Sequence, residues 1–272
     1  MLSLNRRKDF QGMIGIDFGM NSIKAVALKG KPGQYVLEAM ARVPTPKGSI
    51  VDHQIQDVDQ VILALKLLRR QLNSRCDKVA TAVTGSGVTT KVILVPRHLS
   101  QEELENQMLL EAEQHIPFPL DEISLDYESL GINNNHQDRE NILLSAARTE
   151  SINTRISALE QAGWQTKVMD IGVHALARGV GACLAAEKTE ANLLAVVDIG
   201  AECLTFAVME GGGHLQSVAE LRWCATEPGA GQVERSARRQ CGTGQNRQYL
   251  SRRASGGYRT AAYQYPAAAC SP

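Results

Sequence analysis

The residues best suited to chemistry lie together in one short stretch, Met13 to Leu28, where a carboxylate and two glycines share one side of an extended segment. Ile14, Ile16 and Phe18 alternate with Gly15, Asp17 and Gly19, the period-two pattern of a strand with one buried face. Gly19-Met20-Asn21-Ser22 then reverses the chain, because glycine accepts positive φ and Asn and Ser bond their own backbone. Ile23 to Leu28 returns as a second strand. Backbone N–H groups that converge at such a turn attract an anion, glycine lets a phosphate approach the main chain, and Asp17 can hold Mg²⁺ through water. A single D-x-G hairpin is also a plain structural turn, and one copy leaves both readings open.

A second copy favours the chemical one. Ala195 to Met209 reads AVVDIGAECLTFAVM and lies without gaps on Ile14 to Leu28, matching Asp198 to Asp17, Gly200 to Gly19 and Leu204 to Ile23. A repeated unit governs an architecture. Two such hairpins predict two related halves facing each other, with the phosphates and metal of a nucleotide in the cleft between them.

Other features bound the problem. At 272 residues the chain can bury one large or two ordinary cores, and 43% hydrophobic with 21% charged residues is an ordinary soluble composition. Basic and acidic residues number 29 each, so total charge indicates no polyanionic partner. The Asn5-Arg6-Arg7-Lys8 cluster is not followed by an apolar run, which argues against a secretory signal. The apolar stretch Leu193 to Met209 contains Asp198 and Glu202, which argues against a membrane span. Six cysteines without C-x-x-C or Cys/His ligand spacing read as reduced thiols.

The flanking elements supply a scaffold. Strand-like pieces run from Tyr35 to Val43 and end at Pro44 and Pro46. Asp57 is placed to cap a helix, with Gln60 three residues on and Val58, Val61, Ile62, Leu65, Leu68 and Leu72 as its buried stripe. Val79 to Val83 reads as a strand, and Gly85-Ser86-Gly87 as a turn rather than a ligand loop. A compact insert follows: strand Lys91 to Val95, a helix, strands Ile123 to Leu130 and Asn141 to Ala147, and a helix Glu150 to Ala162. Its first helix opens on a Ser100/Glu103 capping box with Leu99 stapled to Leu104; Leu104, Met108, Ala112 and Ile116 face one way as core. Glu111, Glu113, Asp121 and Glu122 read as a solvated face rather than an acid/base pair, since nothing apolar nearby would raise a pKa. His115 and His136 lack neighbours at metal-ligand spacing. Gly163 closes the second helix, Lys167 to Ile171 rejoins the first sheet, and the small-residue helix His174 to Ala186 is expected to join the halves.

Three segments together, IGIDFGMNSIKAVAL, LSQEELENQMLLEAEQHIPFPLDEISLDYESLG and VVDIGAECLTFAVME, closely resemble the PilM family, the actin-like proteins of type IV pilus assembly. The EAEQHIPFPLDEISLDY segment is specific to that family's inserted subdomain. The D-x-G hairpins are shared across the superfamily with FtsA, actin, Hsp70 chaperones and sugar kinases. The resemblance covers about residues 10 to 211 and implies an α/β fold: an actin-like (ribonuclease H-like) lobe, an FtsA-type inserted α+β subdomain and an incomplete second lobe. In those terms residues 10–88 with 163–190 form the first subdomain, 89–162 the insert and 191–211 the start of the second lobe.

The resemblance implies ATP with Mg²⁺ bound between the lobes, with little or no hydrolysis, so that the chain acts as an adaptor and not an enzyme. It implies Asp17, Gly19, Asn21 and Ser22 as the first phosphate loop, Asp198, Gly200 and Ala201 as the second, Lys24 as a further contact, and Asp17 and Asp198 toward the metal. Implied partners are the cytoplasmic tail of the inner-membrane protein PilN, held beside the insert, and pilus assembly ATPases. Nucleic acid is not expected, and the membrane only through partners. The implied location is cytoplasmic, at the inner face of the inner membrane. An FtsA-like cell-division protein is the nearest alternative and a sugar-kinase-type phosphotransferase a more distant one, for which no base near a γ-phosphate stands out.

From Gly212 to Pro272 the composition changes. No Lys, Asp, Ile, Phe or Met occurs there, and eight arginines stand against three glutamates. This stretch is expected to be low-complexity coil, the product of a shifted reading frame that leaves the chain truncated and its nucleotide binding weakened.

Overall fold

A computed structural model describes residues 12–31, 34–186, 193–210, 214–222, 238–240 and 263–264. The alternating segment forms β1 (Ile14–Phe18), with Ile14, Ile16 and Phe18 buried and Gly15 and Asp17 exposed. It turns into β2 (Ser22–Lys31), which pairs antiparallel with β3 (Gln34–Pro44). The Tyr35 to Val43 pieces are thus one continuous strand. β4 (Ile50–Val51) and β5 (Gln54–Ile55) make a two-residue hairpin on Asp52 and His53, both at positive φ (55° and 60°). That pairing of left-handed residues is what a type I′ turn requires.

Helix α1 (Val58–Leu72) begins where expected. The Asp57 carboxylate accepts the Gln60 N–H at 3.1 Å, and Asn73 closes the helix in the left-handed region. Its stripe of Val61, Ile62, Leu65, Leu68 and Leu72 packs on the first sheet, and the chain then enters β6 (Lys78–Val83), parallel to β1. With β10, described below, the sheet order is β10-β6-β1-β2-β3. Three antiparallel strands continued by two parallel ones put the carboxyl ends of β1, β6 and β10 along one edge.

The insert is β7 (Val88–Pro96), α2 (Gln101–His115), β8 (Ile123–Ile132) and β9 (Arg139–Arg148), its three strands in the order β7-β9-β8. The Ser100/Glu103 capping box is formed in full, and Met108, Ala112 and Ile116 join Ile93, Val95, Ile142, Leu144 and Ala146 in a separate core. The Arg148 guanidinium stacks over Phe118 at 4.4 Å, which fixes the Pro117–Pro119 corner. Among the four acids weighed above, Glu111 accepts from Gln107 at 3.0 Å and lies 3.3 Å from His115 on its own helix, the partners of a solvated face.

Helix α3 (Thr149–Gln161) falls within the 89–162 span expected for the insert, yet its buried residues Ala158 and Leu159, followed by Ala162 and Trp164, belong to the core of the first sheet. Packing draws the boundary at about Arg148. Gly163, at φ 89°, ends the helix, and β10 (Gln165–Ile171) and α4 (Gly172–Ala186) follow. Beyond α4, β11 (Leu193–Ile199), β12 (Cys203–Glu210) and β13 (His214–Arg222) form a second antiparallel meander, with β14 (Arg238–Gln240) beside β13 and β15 (Tyr263–Gln264) beside β11. The strand β13 corrects the expectation of coil from Gly212 onward. Apart from β14 and β15, the rest of the arginine-rich stretch lies outside the described residues.

Candidate functional site between two matched turns

The two hairpins repeat each other in pairing as well as in sequence. Asp17 stands opposite Lys24 and Phe18 opposite Ile23; at the matching positions Asp198 stands opposite Thr205 and Ile199 opposite Leu204. Every other pair of the first hairpin has its counterpart in the second. Both turns are tight. A Cβ on Gly19 would lie 2.6 Å from the Ser22 carbonyl oxygen and 2.9 Å from Lys24 Nζ; on Gly200 it would lie 3.1 Å from the Cys203 carbonyl, which accepts the Gly200 N–H at 2.8 Å. Glycine is demanded by narrowness, not by positive φ, at Gly19, while the wider turn at Gly200 needs its neighbour to give by only a few tenths of an ångström.

Charge separates the two copies. Lys24 Nζ donates to Asp17 Oδ2 at 2.7 Å, so the first carboxylate already has a cation, while threonine replaces that lysine in the second. Chemically the first turn offers an ammonium beside an anion's position, and the second an exposed carboxylate open to a hydrated divalent ion. Asn21 and Ala201 are exposed, with the Asn21 carbonyl accepting the Thr45 N–H at 3.1 Å. Ser22 lies in β2 and is only 3% exposed, which turns its hydroxyl away from solvent. Turn by turn, the residue types suit a phosphate with a Mg²⁺ ion, a narrow glycine turn and a carboxylate in each copy and a lysine in the first.

The turns meet around residues not singled out in the sequence. Cys203, buried at the end of the second turn, places Sγ 3.5 Å from His53 Nε2. The His53 carbonyl accepts from Arg155 Nη2, and the same guanidinium donates to the Ser151 carbonyl at 3.0 Å and hydroxyl at 2.5 Å. Arg155 also lies 5.9 Å from the ring of Phe18, the last residue before the first turn. A chain of contacts therefore runs from one turn to the other through Phe18, Arg155, His53 and Cys203. Gly85 closes over the same spot, since a Cβ there would touch the Asp52 carbonyl at 3.2 Å and His53 at 3.3 Å. The Gly85 to Gly87 segment is a turn, as expected, and one that packs on this junction.

Arg155 is 2% exposed, and burial pushes its pKa down to about 10. Carbonyls and a hydroxyl partner it instead of a carboxylate. Left-handed Asp52 and His53 and a desolvated guanidinium concentrate backbone strain and buried charge at the meeting point of the turns.

Helix α4 spans the two sheets. It contacts β6 and β10 on one side and β12 and β13 on the other, with Ala177 buried against Val196 and Ala207. Ala177 alone of its small residues is buried there: a Cβ on Gly179 or Gly181 would meet nothing within 4 Å, so the contact is made by Ala177 with Val173, Leu176, Val180 and Leu184 and not by the small-residue pattern as a whole. His174 in its first turn is held below the usual imidazole range by burial, with Arg178 acting in the same direction and Asp170 and Glu128 opposing. Its Nε2 is buried with no hydrogen-bond partner among the described residues. Because the unfolded chain takes up this proton first, the contribution is fully present above about pH 6.5 and is lost as pH falls below it. Urea midpoints measured from pH 7.5 to 5 are expected to fall for the parent chain and to fall less for His174→Gln.

A family model described as type IV pilus assembly protein PilM matches residues 15–217. Among solved structures, the chain is similar to the PilM-PilN type IV pilus biogenesis complex at 28% identity and a TM-score of 0.68, over 78% of this chain and 61% of that one. It also matches an Aquifex aeolicus PPX-GPPA enzyme at 13% identity and a TM-score of 0.41, over 78% of this chain and 52% of that one. A Bacteroides thetaiotaomicron protein with an actin-like ATPase fold matches at 10% identity and a TM-score of 0.39, over 83% and 75%. The chain thus spans about 61% of the length of the pilus biogenesis protein it matches. With the family match running across both hairpins and the whole insert, this chain belongs to the PilM family of type IV pilus assembly proteins.

Proposed function

We propose that this chain is an adaptor of type IV pilus assembly that binds ATP with Mg²⁺ between its two turns and holds the N-terminal cytoplasmic tail of PilN beside the insert, at the inner face of the inner membrane. The observation that supports the nucleotide half is the junction at His53, where two hairpins of matching register are linked through Phe18, Arg155, His53 and Cys203. Lys24 would neutralise phosphate charge, Gly19 and Gly200 would let phosphate oxygens approach the main chain, and Asp198 would hold the hydrated metal, with Asp17 released from Lys24 to join it. A bound Mg²⁺ would supply charge neutralisation. The partner half is supported by the PilM-PilN complex to which the chain is similar. An adaptor role without catalysis fits both states of Asp17, paired with Lys24 in the structure and turned to the hydrated metal in the proposed complex, neither of which leaves it poised as a base.

The residues assigned here hold phosphate and metal, while base and sugar contacts usually supply most of a nucleotide's apolar burial. The PilN tail is therefore expected to bind this chain more tightly than Mg-ATP. Thermal unfolding with each ligand decides the matter, since a ligand at a hundred times its Kd adds about 2.7 kcal/mol. A stabilisation by PilN-tail peptide that exceeds the one by Mg-ATP supports the reading. No response to the peptide defeats the adaptor assignment, and a response to ATP that needs neither Mg²⁺ nor Asp198 defeats the site.

A further inference from the structure

Helix α1 carries a second stripe that the core does not use. Leu63, Lys66, Leu67 and Arg70 follow the i, i+3, i+4, i+7 spacing of one helix face, opposite the stripe buried on the sheet. Leu63 is 59% and Leu67 46% exposed, and each has a cation one turn further along. At the end of the stripe is a shallow depression of about 380 Å³, lined by Lys66, Arg69, Arg70, Asn73, Ser74 and Ala162. Three cations and no acid line it. Arg69 is fixed on its wall by donating to the Ala162 carbonyl at 3.3 Å. The only acid in α1, Asp59, is in the first turn, at the far end. In a chain whose charges sum to zero, this is a local positive surface with two leucines standing out of it.

We propose that this face of α1 is a direct contact surface for an anionic phospholipid bilayer. Leucines that project beside long cationic side chains suit the boundary between headgroups and acyl chains, because the cations reach the phosphates while their stems lie along the apolar layer. The depression would receive one headgroup phosphate between Lys66 and Arg70. No helix among the described residues is long and apolar enough to cross a membrane, so the contact is peripheral. The position also separates this face from the turns: α1 ends at the amino edge of the parallel strands, the edge opposite Gly19 and His53. Such a surface would orient the adaptor on the membrane beyond any tether a partner supplies.

Flotation of the whole chain with vesicles tests this. Vesicles enriched in phosphatidylglycerol should carry the protein, vesicles of phosphatidylcholine alone should not, and raised salt should release it. Each cation near such a surface is worth about fivefold in binding, so Lys66→Gln with Arg70→Gln should weaken flotation about 25-fold with an unchanged melting temperature. Leu63→Ser with Leu67→Ser should weaken it further. Equal flotation on neutral vesicles, or parent-like flotation of both double variants, would overturn the proposal and leave the arginine-rich stretch after Gly212 to account for any lipid binding. Displacement by inorganic phosphate, but not by chloride of equal ionic strength, would mark a soluble-anion site instead. Failure to float on anionic vesicles ends it equally.

Discussion

Trp164→Ala is expected to cost about 3–5 kcal/mol, the range for removing a large aromatic side chain from a core. Whole domains are stable by only about 5–15 kcal/mol, so this one change should consume a large part of the total. Trp164 is 2% exposed at the entry to β10, where its backbone N–H donates to the Leu159 carbonyl at 2.9 Å and its ring joins the core shared by α1, α3 and the first sheet. Losing the ring would therefore loosen the packing of α3 on that sheet, and with it the position of Arg155. Trp164→Phe makes a sharper comparison. The indole Nε1 is buried with no partner among the described residues, so phenylalanine removes an unsatisfied donor along with some volume and should cost far less than alanine. Urea unfolding of the three proteins, followed by circular dichroism, measures both differences. An alanine variant as stable as the parent would mean that α3 does not belong to the first core.

Much of the architecture was legible because local rules and tertiary packing agreed. Alternation at Ile14 to Phe18, the Asp57 cap, the Ser100/Glu103 box and Gly163 each specify one outcome, and each is found. Where packing decided, sequence reading went astray. Nothing local says which sheet α3 should face, but Ser151, Arg155, Ala158, Leu159 and Ala162 lie on one helical face, and an arginine in such a stripe is the signal that could have marked it. β13 was missed for another reason. Leu215, Ala219 and Leu221 alternate with Gln216, Glu220 and Arg222, a short period-two pattern hidden by the unusual composition of the residues that follow. The turns at Asp17 and Asp198 were readable as a repeat, whereas His53, Arg155 and Cys203 were not. They come from three distant segments that carry no motif, and only folding makes them neighbours.

The same repeat gives an asymmetric expectation for its two glycines. In Gly19→Ala the added methyl meets the Ser22 carbonyl at 2.6 Å; since β2 is pinned there by its pairing with β3, the backbone has to move. Lys24 Nζ, at 2.9 Å, can swing aside, but doing so breaks its bond to Asp17. Overpacking of this kind costs about 1–3 kcal/mol, and the displaced turn should also abolish the Mg-ATP response under the proposed function. Gly200→Ala meets the Cys203 carbonyl at 3.1 Å and Sγ at 3.7 Å, gaps that a few tenths of an ångström relieve, so its cost should stay below about 1 kcal/mol. Melting temperatures of the two single variants, each with and without Mg-ATP, separate the effects. If Gly200→Ala proved the more damaging, the first turn would not be the tighter of the pair. If Gly19→Ala lost stability yet kept its full nucleotide response, the turn would be structural alone, and the phosphates would have to be held elsewhere on the chain.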